Sequence, residues 1–367
     1  MKTTSWLIGM SIGAATPMMA VAQSITLYGL VDTGVEYVNN VGATKSGLVR
    51  MPNLTGTVPS RWGMRGKEDL GGGLQAVFTL ESGFAPDSGV SNQGGRLFGR
   101  QANVGLSGPW GELTFGRQNT MLFWAILDSD ILGPNVYGGN ALDSYRPNAR
   151  ADNAIAYKGK FGELTVGATY SFGRDTVNAG TNPAGTNCAG ELASDSRACR
   201  EWSALLMYET GSWGISTAYD SLRGGPGAAA GLSSSKLKDD RLLLGAYALF
   251  DKTKVGVGAS IRNNEGGTPS HSQLYYAGAS YDITPAFNVA GQVYYLHFNN
   301  SANKAWLGAV RGTYAFSKRT SVYLTGGYID NGGQSNLSVS AGGSVGTSNP
   351  TPGGNQLGVM AGVKHSF

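Results

Sequence analysis

The chain has 367 residues and a formal net charge of +4; 57 residues are glycine, 10% are aromatic and only 14% are charged. So little charge excludes a disordered, highly solvated chain, and so small and evenly spread a positive balance excludes a nucleic-acid partner. A hydrophobic fraction of 41% with that much glycine fits strands and turns rather than helices.

In chain order, residues 1–22 read as an export signal. Lys2 supplies the positive start, the apolar run from Trp6 to Ala15 is too short to span a bilayer, and Ala20-Val21-Ala22 places small residues at the cleavage position. The mature chain is expected to begin at Gln23 and to form one domain over 23–367, with net charge +3 once Lys2 is lost from the precursor's +4. No stretch in it approaches 18 consecutive apolar residues, so no transmembrane helix is available. Export without a helical anchor leaves the periplasm, the exterior or the outer membrane.

From Ser24 onward the sequence alternates apolar and polar positions in segments of about ten residues, the pattern of strands in a membrane barrel. Sixteen such segments are counted. In 163–172, Leu164, Val166, Ala168, Tyr170 and Phe172 share one face, against Thr165, Gly167, Thr169 and Ser171. The connections alternate long and short. Long ones fall near 39–59, 84–97, 119–152, 173–200, 223–239, 263–272, 299–303 and 331–355; short ones fall near 68–72, 108–111, 159–162, 209–213, 251–252, 283–285 and 317–318. An antiparallel barrel with external loops on one rim and tight turns on the other predicts this asymmetry, and a soluble sandwich does not. Aromatics gather beside the short turns, at Trp110, Phe161, Tyr208, Trp213, Phe250, Tyr281, Phe287 and Phe316, where rings with one apolar and one wet side mark a headgroup boundary.

Cys188 and Cys199 lie 11 apart in a Gly/Asn/Ser-rich segment. In an oxidising compartment they are placed to close a small loop disulfide, with two free thiols as the alternative. No second pair or nearby histidine supports a metal or redox site, and His271, His297 and His365 are scattered over a loop and two strands. The run Asp69-Leu70-Gly71-Gly72-Gly73 lacks the Lys-Ser/Thr of a phosphate loop and reads as a hairpin turn.

The stretches "ITLYGLVDTGVEY" at 25–37, "SRWGMRGKEDLGGGLQAVFTLESGF" at 60–84 and "RLFGRQANVGLSGPWGELTFGRQNT" at 96–120, with the terminal Phe367, resemble the trimeric general porins of the Gram-negative outer membrane, most closely the neisserial and Burkholderia-type branch. The resemblance covers the whole mature chain. It implies an all-β fold, a 16-stranded antiparallel transmembrane barrel with three barrels per assembly and a third loop folded into each pore. It further implies outer-membrane lipid and lipopolysaccharide around the homotrimer, small hydrophilic solutes and ions passing through it, and barrel-assembly machinery engaging Phe367. No cofactor is expected.

Selectivity in such a pore comes from charges at its narrowest point. Strand parity puts Arg61 and Arg65 on the lumen face with Lys67, opposite Trp62 and Met64, and the resemblance agrees for Arg61. Arg150 and Arg100 resemble further eyelet arginines, although parity groups Arg100 with the apolar Ala102, Val104 and Leu106. The opposing charge is expected on the third loop, 119–152, at Asp128, Asp130, Asp143 and Asp152, setting a transverse field across the pore. Asp32 and Glu81 are further lumen candidates. Arg117 shares a face with Leu113 and Phe115 and so points outward, where it is expected at the trimer interface against an acid such as Asp87 of a neighbour. The wall arginines predict a weak to moderate anion preference. Two rival readings are a barrel enzyme, which would need His297 or His365 in a nucleophile system, and a plugged adhesive barrel.

Overall fold

The computed structural model describes residues 24–54, 56–175, 187–342 and 348–367; the expected leader, 1–22, lies outside them. Seventeen strands form one sheet in which every strand pair is antiparallel: β1 (Ser24–Val41), β2 (Ser46–Arg50), β3 (Arg61–Gly71), β4 (Leu74–Gly83), β5 (Gln101–Gly108), β6 (Gly111–Asn119), β7 (Arg150–Phe161), β8 (Leu164–Ser171), β9 (Glu201–Glu209), β10 (Trp213–Arg223), β11 (Lys238–Phe250), β12 (Thr253–Asn264), β13 (His271–Thr284), β14 (Phe287–Phe298), β15 (Lys304–Ala315), β16 (Thr320–Gly332) and β17 (Asn355–Ser366). The ring closes where β1 pairs with β17, from Leu30↔Ser366 to Val38↔Gly358. On its other edge, the first half of β1 pairs with β3 and the second half with the short β2, which is a flap of the first loop. Sixteen strands are therefore the barrel wall, as the sequence pattern predicts.

Alternation decides which side chains face out. In β8, Leu164, Ala168 and Tyr170 are exposed while Thr165, Gly167, Thr169 and Ser171 are buried. The same inversion runs round the ring, with Val104, Phe115, Trp202, Leu244, Val293, Val310 and Leu324 all exposed. In water such a surface would be costly; in hydrocarbon it is matched, and the closed ring leaves no unpaired strand edge. The tight turns fall at one rim, at 72–73, 109–110, 162–163, 210–212, 251–252, 285–286 and 316–319. Gly72 and Gly73 take positive φ, +62° and +81°, as the sharp first turn requires. Trp110, Phe161, Phe250 and Phe316 stand exposed beside these turns, where an aromatic girdle was expected.

The core lies inside the ring, built by the third loop, 120–149. Its first helical turn and a half, Met121–Ile126, packs Met121, Leu122, Ala125 and Ile126 with Tyr145 against Leu205, Ala218, Leu222 and Leu243 of β9, β10 and β11. The next stretch crosses the lumen. Leu132, Val136, Tyr137, Ala141 and Leu142 pack against Leu274, Tyr276, Tyr294, Leu307 and Tyr323 of β13 to β16. Burying each large side chain contributes roughly 1.5–3 kcal/mol, which holds the loop down as a fixed partition. Cys188 and Cys199 are joined by a disulfide within the fourth loop.

Candidate functional site

β3, β7 and the residue that leads into β5 bring basic groups to one side of the lumen, around an acid of β4. Glu81, near the end of β4 and 5% exposed, takes Arg100 Nε at 2.6 Å, Arg61 Nε at 3.5 Å and the Tyr28 hydroxyl at 3.0 Å. Two guanidinium groups thus share one carboxylate. Arg150 opens β7 close by, where Arg100 and Arg61 oppose its charge. Arg65 lies two lumen positions below Arg61, with its guanidinium 5.3 Å from the Tyr28 ring centre. It lines a cavity of about 210 Å³ with Thr79, Glu112, Trp124 and Lys158. The conflict over Arg100 has a local cause: it precedes the first residue of β5, so strand parity does not extend to it, and its backbone N–H is bound by the Glu81 carbonyl at 3.1 Å.

The third-loop aspartates do not face this wall, which corrects the expected transverse field. Asp128 is bound by Lys254 of β12 at 2.8 Å. Asp130 takes Arg146 of its own loop at 3.2 Å and the Tyr294 hydroxyl at 2.9 Å. Asp143 is paired with Arg241 of β11, which also meets Asp239 at 3.2 Å. Each pairing neutralises a loop carboxylate on the far side of the lumen. What the loop turns toward the basic wall is aromatic: the Trp124 ring centre is 3.4 Å from Lys158 Nζ, and the Phe123 ring centre 5.8 Å from the Arg150 guanidinium. These ring faces attract the cations without cancelling their charge.

Deeper anchors hold the loop in place. The Tyr145 hydroxyl lies 2.8 Å from Glu201 Oε1 and 2.7 Å from Asp220 Oδ2, its single proton donated to one of the two at a time, and Thr120 donates to Asp220 at 2.8 Å. Burial beside those two carboxyls pushes the Tyr145 phenol well up, so it stays a donor. Asp32 is fully buried, taking the Tyr323 hydroxyl at 2.7 Å and the Thr57 N–H of the first loop at 3.0 Å.

Arg117 is a second correction. It is 8% exposed, and its acid comes from its own chain: Nη1 meets Asp152 at 2.7 Å, and Nε donates to the Gly99 carbonyl at 2.7 Å. Arg96 of the second loop joins Asp152 and Asp175, both at 2.8 Å. A bulge makes this possible. Gly116 pairs with Ala154 and Gln118 with Ala151, so Asp152 and Asn153 together oppose Arg117, with Asn153 at φ +48°. Asp152 is therefore part of this network at the outer rim, not a free constriction charge, and the reason for assigning Arg117 to a neighbour's Asp87 is removed. Asp87 itself is exposed in the second loop and accepts from Ser88 at 3.2 Å.

Several wall cations escaped the sequence reading, among them Arg241, Lys254 and Lys158 above and two more beside the basic wall. Arg311 of β15 donates to the Leu132 carbonyl at 3.4 Å, and Lys364 of β17 lies where Asp32 supports its charge while Arg311 and Arg61 oppose it. Both sit on lumen parity, so alternation alone could have found them.

A sequence profile of the Gram-negative porins matches residues 9–334. Outer membrane porin protein 32 of Delftia acidovorans is 30% identical, over 98% of this chain and 99% of that protein. Among solved structures, the anion-selective porin from Comamonas acidovorans superposes with a TM-score of 0.75 at 25% identity, covering 94% of this chain and all of that one. The trimer form of OmpT from Vibrio cholerae shares the fold, with a TM-score of 0.64 at 14% identity over 94% of this chain and 100% of that one.

Proposed function

The chain belongs to the Gram-negative porin family, whose members are outer-membrane channels, and from that premise we propose that its water-filled lumen passes small hydrophilic solutes and ions with a weak to moderate preference for anions. The path runs between the basic wall of Arg61, Arg65, Arg100, Arg150 and Lys364 and the aromatic edge of the third loop. One observation carries the preference: Arg61 and Arg100 share a single carboxylate, Glu81, while Asp128, Asp130 and Asp143 are each bound by a cation elsewhere. The likeness to the anion-selective porin from Comamonas acidovorans supports the same sign.

Conductance on purified protein in planar bilayers tests the reading. Stable ohmic steps are expected, with a reversal potential in a salt gradient set by the anion. Clear cation selectivity would show that the loop carboxylates dominate; electrical silence with hydrolytic activity would favour a barrel enzyme. The working unit is a homotrimer, a reading supported by the trimer form of a protein of the same fold, and cross-linking in mild detergent is expected to yield a three-chain band.

A further inference from the structure

We infer that the cavity beside loop three is a sugar-acid subsite, which takes a carboxylated pyranose with its carboxylate on Lys158 and Arg65 and the C–H face of its ring on Trp124. The inference rests on the channel reading and names a class of solute that pauses on its way through.

The cavity of about 210 Å³ lies between the helical segment Met121–Ile126 and the inner faces of β3 to β7. Arg65 lies opposite Thr79, and Thr79 opposite Asn103, so three neighbouring strands contribute one lumen-facing row. Lys158 of β7 lies opposite Glu112 of β6. That register suits a cross-strand ion pair, yet among the described residues neither group is in one. Lys158 instead rests its amine 3.4 Å from the Trp124 ring centre, and Arg65 rests its guanidinium 5.3 Å from that of Tyr28. Ring faces leave the N–H donors of both cations open to a carboxylate. A charge-assisted hydrogen bond is stronger than a cation–π contact at a half-buried ring, so an arriving carboxylate draws the amine off Trp124 and uncovers the indole.

The rest of the lining decides what else the solute carries. Among the described residues the side chains of Thr79 and Gln101 make no hydrogen bond, and Asn103 uses only its Nδ2, which donates to the Arg117 carbonyl at 3.3 Å. Glu112 accepts no hydrogen bond there either. A carboxylate on the wall opposes an anion unless the solute brings hydroxyl donors to it. A sugar acid brings several, whereas acetate and benzoate bring none. Glu112 also favours a solute with a single negative charge. Size agrees: sites for drug-sized ligands run to roughly 300–1,000 Å³, and this smaller cavity suits one ring. The C–H face of a pyranose is the apolar side that an indole covers.

The test uses purified protein in planar bilayers, titrated with glucuronate, glucose, acetate or benzoate, with dissociation constants read from blockade of the chloride current. Glucuronate is expected to bind about tenfold or more tightly than each of the other three. Lys158→Gln should raise its dissociation constant about tenfold, and Trp124→Leu about threefold while leaving that of acetate unmoved. Lys318→Gln/Arg319→Gln at a short turn should change neither. Glucose matching glucuronate would overturn the role of the cations, acetate matching it the role of the ring, and benzoate matching it the role of the hydroxyls; each result removes the site. On the unmodified protein, glucuronate but not glucose should slow acetylation of the Lys158 amine, and equal rates overturn the site even where a variant fails to fold. Chloride steps without any sugar report separately on the channel: their absence sinks the channel reading, whereas steps that glucuronate leaves open sink only the subsite.

Discussion

Glu81 sets how much of the wall's positive charge an ion meets, because it binds Arg61, Arg100 and Tyr28 at once. An ion passing about 7 Å from one charge at water-like dielectric feels about 0.6 kcal/mol, roughly a threefold effect on its partition. Because the anion gains by that factor while the cation loses by it, Glu81→Gln is expected to raise the anion-over-cation permeability ratio about sevenfold, and Arg61→Ser to lower it by a similar factor. Reversal potentials of the two variants in a potassium chloride gradient check this, and shifts of the same sign would show that ions pass elsewhere. By contrast, Asp128→Asn removes a half-exposed carboxylate already bound by Lys254, and its expected effect releases that lysine into the same anion-favouring direction.

Loop three behaves as a separate element with its own anchors. Arg146 is 1% exposed and paired to Asp130, so Arg146→Gln leaves a buried carboxylate without its charged partner. Removing one partner of a buried pair costs about 3–5 kcal/mol, charged here to the docked loop rather than to the whole barrel. Frequent transient closures in single-channel records are expected, with the barrel still folded; records as quiet as wild type would mean that the apolar packing alone holds the loop. The fourth loop offers a parallel case. Breaking Cys188–Cys199, which closes an 11-residue separation, is expected to loosen that loop by about 2–3 kcal/mol and open it to protease, while conductance persists.

At the scale of the whole molecule, stability depends on an apolar exterior that only hydrocarbon tolerates. Val310, 57% exposed near the middle of β15, lies between Gly291 and Gly326 on that exterior. Val310→Arg is expected to cost about 2–4 kcal/mol in a bilayer. An arginine at Thr79, whose side chain lines the lumen cavity of about 210 Å³, should cost far less and shift selectivity instead. Urea midpoints of both variants refolded into vesicles give the comparison, and a reversed order would invert the assigned faces.

Strand count, loop asymmetry, girdle positions and the lumen parity of Arg61 and Arg65 were legible in the sequence, because alternation, turn residues and loop length are local properties of the chain. Parity alone misplaces Arg100, which precedes its strand and meets Glu81 as the family resemblance implied, and parity does not foresee the bulge that brings Asp152 against Arg117. The charge balance across the pore was not legible at all. Asp143 finds Arg241 across 98 residues, Asp128 finds Lys254 across 126, and Asp130 finds Tyr294 across 164. Such pairings exist only after the ring has closed and the loop has crossed it, so the sequence determined a barrel with charges inside, and the tertiary structure alone decided which of them cancel.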